Sequence, residues 1–165
     1  MRIRPAVLTD APAVSVLYAA HVLTGTASFE ITPPDADEME RRIKSVLDRS
    51  HPWIVAEADD GRLLGYAYAS LFHPRAAYAH TFENSVYLAS DAQGQGLGST
   101  LMQALIPLCK DSGAREIIAL IGDSANAASI ALHRKLGFRH VGVITDVGEK
   151  FGRLLDVVYM QLSLR

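Results

Sequence analysis

The sequence has a single cysteine, Cys109, so it can form no internal disulfide and no thiolate metal site. It has no block of Lys and Arg. The nearest candidate, Arg41-Arg42-Ile43-Lys44, is interleaved with acids and reads as a solvated helix face. With 16 basic residues against 18 acidic ones the formal charge is −2, which gives no general attraction for a polyanion and argues against a nucleic-acid partner. No apolar run approaches membrane-spanning length, and Met1-Arg2-Ile3-Arg4-Pro5 lacks the apolar core of a signal peptide. The expected compartment is therefore the cytoplasm, with no membrane partner. The histidines at 21, 51, 73, 80, 133 and 140 include no i,i+4 pair, and no metal is expected.

What remains is ordinary globular composition, 49% hydrophobic and 21% charged, over 165 residues that fit one domain spanning 1–165. Residues 2–8 alternate as a short strand. Thr9-Asp10 followed by Pro12 marks a helix start, Val14, Leu17, Tyr18 and Val22 recur at helical spacing, and Gly25 marks the stop. A loop at 25–34 precedes a helix at about 36–49 with Met39, Ile43, Val46 and Leu47 as its apolar stripe. Strands follow at 53–56, 63–72 and 81–89, the first two joined by an Asp59-Asp60-Gly61 turn. Then come a helix at about 98–112, a strand at 117–121, a helix at 124–136 and strands at 138–145 and 154–164 around a 148–153 connection. The order β-α-α-β-β-β-α-β-α-β-β predicts an α/β (α+β) fold with a mixed sheet.

The run Gln93-Gly94-Gln95-Gly96-Leu97-Gly98, between a strand and a helix, suits an anion. Glycine admits close backbone approach, and the free N–H groups of the helix start point at the charge. A P-loop would need Gly-Lys-Ser/Thr, whereas Gly98 runs directly into Ser99-Thr100. A dinucleotide fold wants an acid at the end of the next strand, and Glu116 lies at its start. What matches is Gln/Arg-x-x-Gly-x-Gly/Ala, and with it the block Asn126 to Phe138, a helix ending in Gly-Phe. In both motifs the chain resembles the GNAT N-acetyltransferase superfamily. That resemblance implies a mostly antiparallel central sheet flanked by helices and acetyl-CoA as co-substrate. It further implies cofactor contacts from Gln93 to Ser99, from Asn126 and Ser129, and from the backbone of Val86, Tyr87 and Leu88, with a backbone N–H there polarising the attacked carbonyl.

The segment Arg75 to Leu88, with Glu83-Asn84-Ser85-Val86-Tyr87, is similar to that of phosphinothricin and methionine sulfone or sulfoximine acetyltransferases, as is Lys150-Phe151-Gly152-Arg153-Leu154-Leu155-Asp156. The resemblance implies a small amino-acid-like amine acceptor and a homodimer. An aliphatic amine is protonated at neutral pH, so a base must take a proton before attack. Glu83 is the candidate: a lone carboxylate inside a strand, sharing a face with Thr81, Ser85 and Tyr87 while Phe82, Val86 and Leu88 point the other way. An ion pair with Arg75 is the competing explanation of that carboxylate. The superfamily's thiolate-protonating tyrosine is replaced by His133, which is either a proton donor or a packing residue. Arg75 suits an anionic or sulfonyl oxygen of the acceptor, and Tyr78 and Phe29 are candidate pocket walls. A protein N-terminus or a polyamine as acceptor, and a non-catalytic acyl-CoA sensor, stay open as alternatives.

Overall fold

A computed structural model describes residues 1–165. The chain forms β1 (Arg2–Pro5), α1 (Ala11–Thr24), α2 (Ala36–Leu47), β2 (Trp53–Glu57), β3 (Leu63–Leu71), β4 (Thr81–Leu88), α3 (Leu97–Asp111), β5 (Glu116–Gly122), α4 (Ala127–Lys135), β6 (Arg139–Lys150) and β7 (Arg153–Ser163). The element order is the expected one. All strands join one seven-stranded sheet, β1-β2-β3-β4-β5-β7-β6, antiparallel throughout except where β4 runs parallel to β5.

Local chemistry sets the boundaries. Pro12 sits in the first turn of α1, where its missing N–H costs nothing, and Asp35 caps α2 by accepting from the Glu38 N–H at 2.8 Å. Residues 8–10 leave the first strand for a 3-10 turn, because the Asp10 carboxylate is held by Arg4 at 2.8 Å and accepts from Val7 N–H. The final pair of strands departs most from expectation. Residues 148–153 are not an irregular connection: β6 continues to Lys150, and a two-residue turn at Phe151-Gly152, both at positive φ, returns the chain as β7. A register irregularity between Ile144 and Gly148 absorbs Asp146 and Val147, the stretch that looks like a break in the sequence.

Two apolar clusters cover the two faces of the sheet. On one, Leu101, Met102, Leu105 and Cys109 of α3 pack against Phe82, Ile117, Ala119 and Met160. On the other, Val14 and Val22 of α1 with Met39 and Ile43 of α2 cover Trp53, Val55 and Tyr66. Period-two alternation along β4 sends Phe82 and Asn84 toward α3 and leaves Glu83 and Ser85 on the α1 side. Cys109 is a core residue, its thiol pushed up to about 12 by burial.

Candidate active site

The sheet splits between β4 and β5. Their parallel pairing ends at Asn84 and Ala119, yet β4 stays paired with β3 as far as Leu88 and β5 with β7 as far as Gly122. The unpaired ends diverge and open a cleft of about 610 Å³, with a recess of about 50 Å³ at the base of the fork. Val86, Tyr87, Leu88, Gln93, Gly94, Gly96, Gly98, Ser99, Asn126 and Ser129 all line the cleft. Two residues of the expected set do not. Leu97 is buried beneath the loop, and Gln95 turns back to donate to the Asp91 carbonyl at 2.8 Å.

The loop before α3 presents backbone. Gly94 and Gly96 lie at φ 72° and 82°, a conformation that side chains rarely adopt, and Gly96 occupies the N-cap position of α3. The backbone N–H groups from Gln93 to Ser99 donate to no carbonyl or side chain, the first such bond of the helix being Thr100 N–H to Gly96 O at 3.1 Å. A continuous row of free donors at the positive end of a 15-residue helix fits a pyrophosphate. The opposite wall is one face of α4, Ala128, Ala131, Leu132 and Lys135, at i, i+3, i+4 and i+7. Asn126 caps α4 through its Oδ1, which accepts from Ser129 N–H at 3.2 Å, so its amide N–H groups are left as donors toward the cleft.

His133 lies under that wall, 2% exposed. Its Nδ1 stands 2.8 Å from the Ser129 carbonyl, which can only accept, so Nδ1 carries the proton. Nε2 is then left to accept from the Asn84 amide at 3.0 Å. Burial holds the imidazole below its ordinary value of 6.5, which keeps it neutral. With both nitrogens engaged, His133 has no proton to offer a departing thiolate. Its geometry is that of a packing residue, edge-on to Phe138.

On the other face of β4, Glu83 is half-buried and takes part in no hydrogen bond or ion pair; burial alone raises its pKa above the ordinary 4.5. The ion pair with Arg75 is absent. Arg75 is exposed in a turn that it enters through a bond from its N–H to His73 Nδ1, and Tyr78 packs on His73 and Phe72 at the same turn. Phe29 lies far from that turn in the fold, against Gly122 and Gly148. The structure thus does not join Arg75, Tyr78 and Phe29 into one wall with Glu83.

The polar groups gathered on the α1 side of the sheet are others. Tyr68, stacked on Trp53 at 4.1 Å, lies opposite Ser85, and its raised hydroxyl pKa reflects burial first and the nearby Glu83 charge after it. Arg42, besides pairing with Glu38 on its own helix, grips Glu30 with its two terminal guanidinium nitrogens, at 2.7 and 2.9 Å, and Glu30 also accepts from the Tyr18 hydroxyl. Its charge, like that of Glu30, bears on Tyr68. Sequence patterning singles out Glu83 but gives no signal for its neighbours, because Tyr18, Glu30, Arg42 and Tyr68 come from separate segments. His21 carries no sequence signal either. It stands in the cleft with Nε2 2.8 Å from Leu88 O, tying α1 to the end of β4.

A helix-flanked mixed sheet forked between two parallel strands, with a row of free amides at a helix start beside the fork, fits a long ligand that carries a pyrophosphate. The comparisons agree. Residues 17–138 match the model of the acetyltransferase (GNAT) family. A phosphinothricin N-acetyltransferase of Alcaligenes faecalis is 54% identical over 155 residues, covering 94% of this chain and 78% of that one. An L-methionine sulfoximine/L-methionine sulfone acetyltransferase of Pseudomonas aeruginosa is 40% identical over 162 residues, covering 98% and 94%. A phosphinothricin acetyltransferase of Sinorhizobium meliloti, solved in complex with acetyl-CoA, superposes with a TM-score of 0.95 at 40% identity, covering 99% of this chain and 88% of that one. The chain belongs to the GNAT acetyltransferase family.

Proposed function

We propose that the protein transfers an acetyl group from acetyl-CoA to the amine of a small amino-acid-like acceptor of the methionine sulfoximine, methionine sulfone or phosphinothricin type. The observation that carries the reading is the pairing on one strand of an unpartnered, half-buried carboxylate, Glu83, with a free-amide loop just beyond the strand's end. The relatives bearing those activities by name support the acceptor class. Acetyl-CoA, when bound, supplies an activated acyl carbon. The amides of Gln93 to Ser99 hold its pyrophosphate, Asn126 donates to its arm, and a backbone N–H among Val86 to Leu88 takes the developing oxyanion. Glu83 removes a proton from the acceptor ammonium, directly or through a water, and its raised pKa makes it a better acceptor for that proton than an exposed carboxylate. Arg75 is the proposed anchor for the acceptor's anionic or sulfonyl oxygen, with Tyr78 at the same turn; Phe29, packed against Gly122 and Gly148, is not a flanking ring of that anchor.

Thiol release from acetyl-CoA, measured over a panel of amines, tests this. L-methionine sulfoximine, L-methionine sulfone and phosphinothricin should turn over faster than an N-terminal peptide or spermidine. Glu83→Gln should lower kcat by roughly 10²–10⁴-fold with acetyl-CoA affinity unchanged. Equal rates in the two proteins would remove Glu83 as base, and CoA binding without turnover of any amine would favour a sensor.

The protein is further proposed to be a homodimer. The β6–β7 hairpin at the sheet edge exposes Val141, Val143, Ile144, Val147, Phe151 and Leu154, an apolar surface that a second copy would cover. Light scattering that gives a mass near the 17.9 kDa monomer would exclude it.

A further inference from the structure

The charged residues of the Lys150 to Asp156 segment have no part in the reaction just described, yet all three reach back to the cleft walls. Lys150, 4% exposed, donates from Nζ to the Ser28 carbonyl at 2.7 Å and so fixes the loop between α1 and α2. Arg153 donates to Asp123 Oδ2 at 3.1 Å. Asp156 accepts from the Ser124 hydroxyl at 2.5 Å and from Asp146 N–H at 3.0 Å, and its carbonyl accepts from Asp123 N–H at 2.9 Å.

The Arg153 and Asp156 contacts converge on Asp123, the first residue after β5. It sits at φ 69°, in the left-handed region that aspartate tolerates better than most residues. One of its carboxylate oxygens, Oδ2, accepts from the Thr26 hydroxyl at 2.6 Å, and Thr26 begins the loop that carries Phe29 and Glu30. The other, Oδ1, accepts from Ala125 N–H at 2.9 Å, and the Asp123 carbonyl accepts from Asn126 N–H at 2.9 Å. A single side chain therefore holds the acceptor-side loop with one oxygen and, with the other, the turn that aims Asn126 into the cofactor cleft. The loop rests directly on β5: a Cβ at Gly122 would lie 2.8 Å from Thr26 O and 2.9 Å from Ala27 O, and Ala27 lines the cleft.

We propose that the Thr26–Asp123 hydrogen bond, braced by Lys150, Arg153 and Asp156, couples the two substrate sites, so that CoA and the amine acceptor each tighten the binding of the other. Asp123 and Thr26 are positioning residues in this scheme, since neither touches the reacting atoms. A ligand that orders the Asn126 turn also orders Asp123, and through it Thr26 and the loop, so the second ligand meets a wall already in place. The proposal rests on the reading that the fork takes acetyl-CoA and the Glu83 face takes the acceptor.

Titration calorimetry of L-methionine sulfoximine into the protein, with and without saturating CoA, tests it. In the wild type CoA should lower the acceptor dissociation constant about fivefold or more, and L-methionine sulfoximine should lower that of CoA by the same factor. Thr26→Val keeps the side-chain shape and removes the donor, and should bring the ratio toward one. Thr26→Ser should keep it, and Arg153→Met, which loosens Asp123 with Thr26 intact, should reduce it partway. A wild-type ratio of one, or a Thr26→Val protein with the wild-type ratio, would overturn the coupling while leaving the acetyltransferase reading in place. Failure of the wild type to bind CoA at all would remove that reading, and the coupling with it.

Discussion

Along the proposed cofactor half of the cleft the free groups are consecutive backbone amides, Gln93 to Ser99, set by two glycines at positive φ and the start of α3. The proposed acceptor half is made of side chains drawn from α1, α2, β3, the turn before β4, β4 and the loop after α1, and several are already committed to one another, as in Tyr18–Glu30–Arg42. A backbone site depends on local conformation and tolerates changes in surrounding side chains. A side-chain site depends on the packing of distant segments, so its specificity can be altered one residue at a time while the cofactor half stays fixed. This is how one fold can keep a common acyl donor and vary the amine.

If the comparison holds, damage to the two halves should separate kinetically. The largest expected effect is from Ser99→Glu, which sets a carboxylate among the amide donors at the helix start. The acetyl-CoA KM should rise about 30-fold or more, with the KM for L-methionine sulfoximine little changed. A parallel rise in both would mean that the halves are not independent at that point. Asn126→Ala removes both a cleft donor and the cap of α4, and should raise the acetyl-CoA KM roughly 5- to 10-fold and lower the Tm by about 2–4 °C. An effect on Tm alone would leave Asn126 only the capping role. Arg75→Ala should raise the acceptor KM several-fold without affecting acetyl-CoA. An unchanged acceptor KM would pass the anchoring role to another cation on that side, Arg42 among them.

The smallest effect concerns stability. His133 is held below its ordinary value of 6.5 by burial, and His51 is shifted in the same direction. A group with a depressed folded value contributes stability fully present above 6.5, which is lost as the pH falls through the folded value, because the unfolded chain then binds the proton more readily. Thermal scans should therefore show Tm falling as pH drops from 7 toward 5, with a shallower fall in His133→Gln.

The same contrast explains what could be read from the sequence. The loop at 93–98 and the Asn126 to Phe138 block are each contiguous, and their conformation is written in glycine positions and helix periodicity, so the segments that wall the cleft were legible, although alternation within the loop turns Gln95 and Leu97 away from it. Glu83 was legible as a charge inside a strand, because alternation alone fixes which face it takes. Arg42 reads correctly as a helix-face residue paired with Glu38, but its second partner, Glu30, is not legible because it lies 12 positions away across a loop and both proline residues of Thr32-Pro33-Pro34. The role of His133 was not decidable from type and position, since it turns on the Asn84 amide and the Ser129 carbonyl. The long β6–β7 hairpin was hidden by Asp146 and Gly148, which resemble loop residues until an irregular register accommodates them, while Gly152 belongs to the tight turn itself.

The most direct test of the whole account is the pH dependence of kcat at saturating acetyl-CoA and L-methionine sulfoximine, measured for the wild type and Glu83→Gln. A base with a raised pKa must be deprotonated to act, so the wild-type rate should fall with decreasing pH through a midpoint above the ordinary carboxylate value of 4.5. In Glu83→Gln that limb should be gone and the rate low at every pH. A variant that keeps both the limb and the wild-type rate would contradict the assignment of Glu83 as the general base.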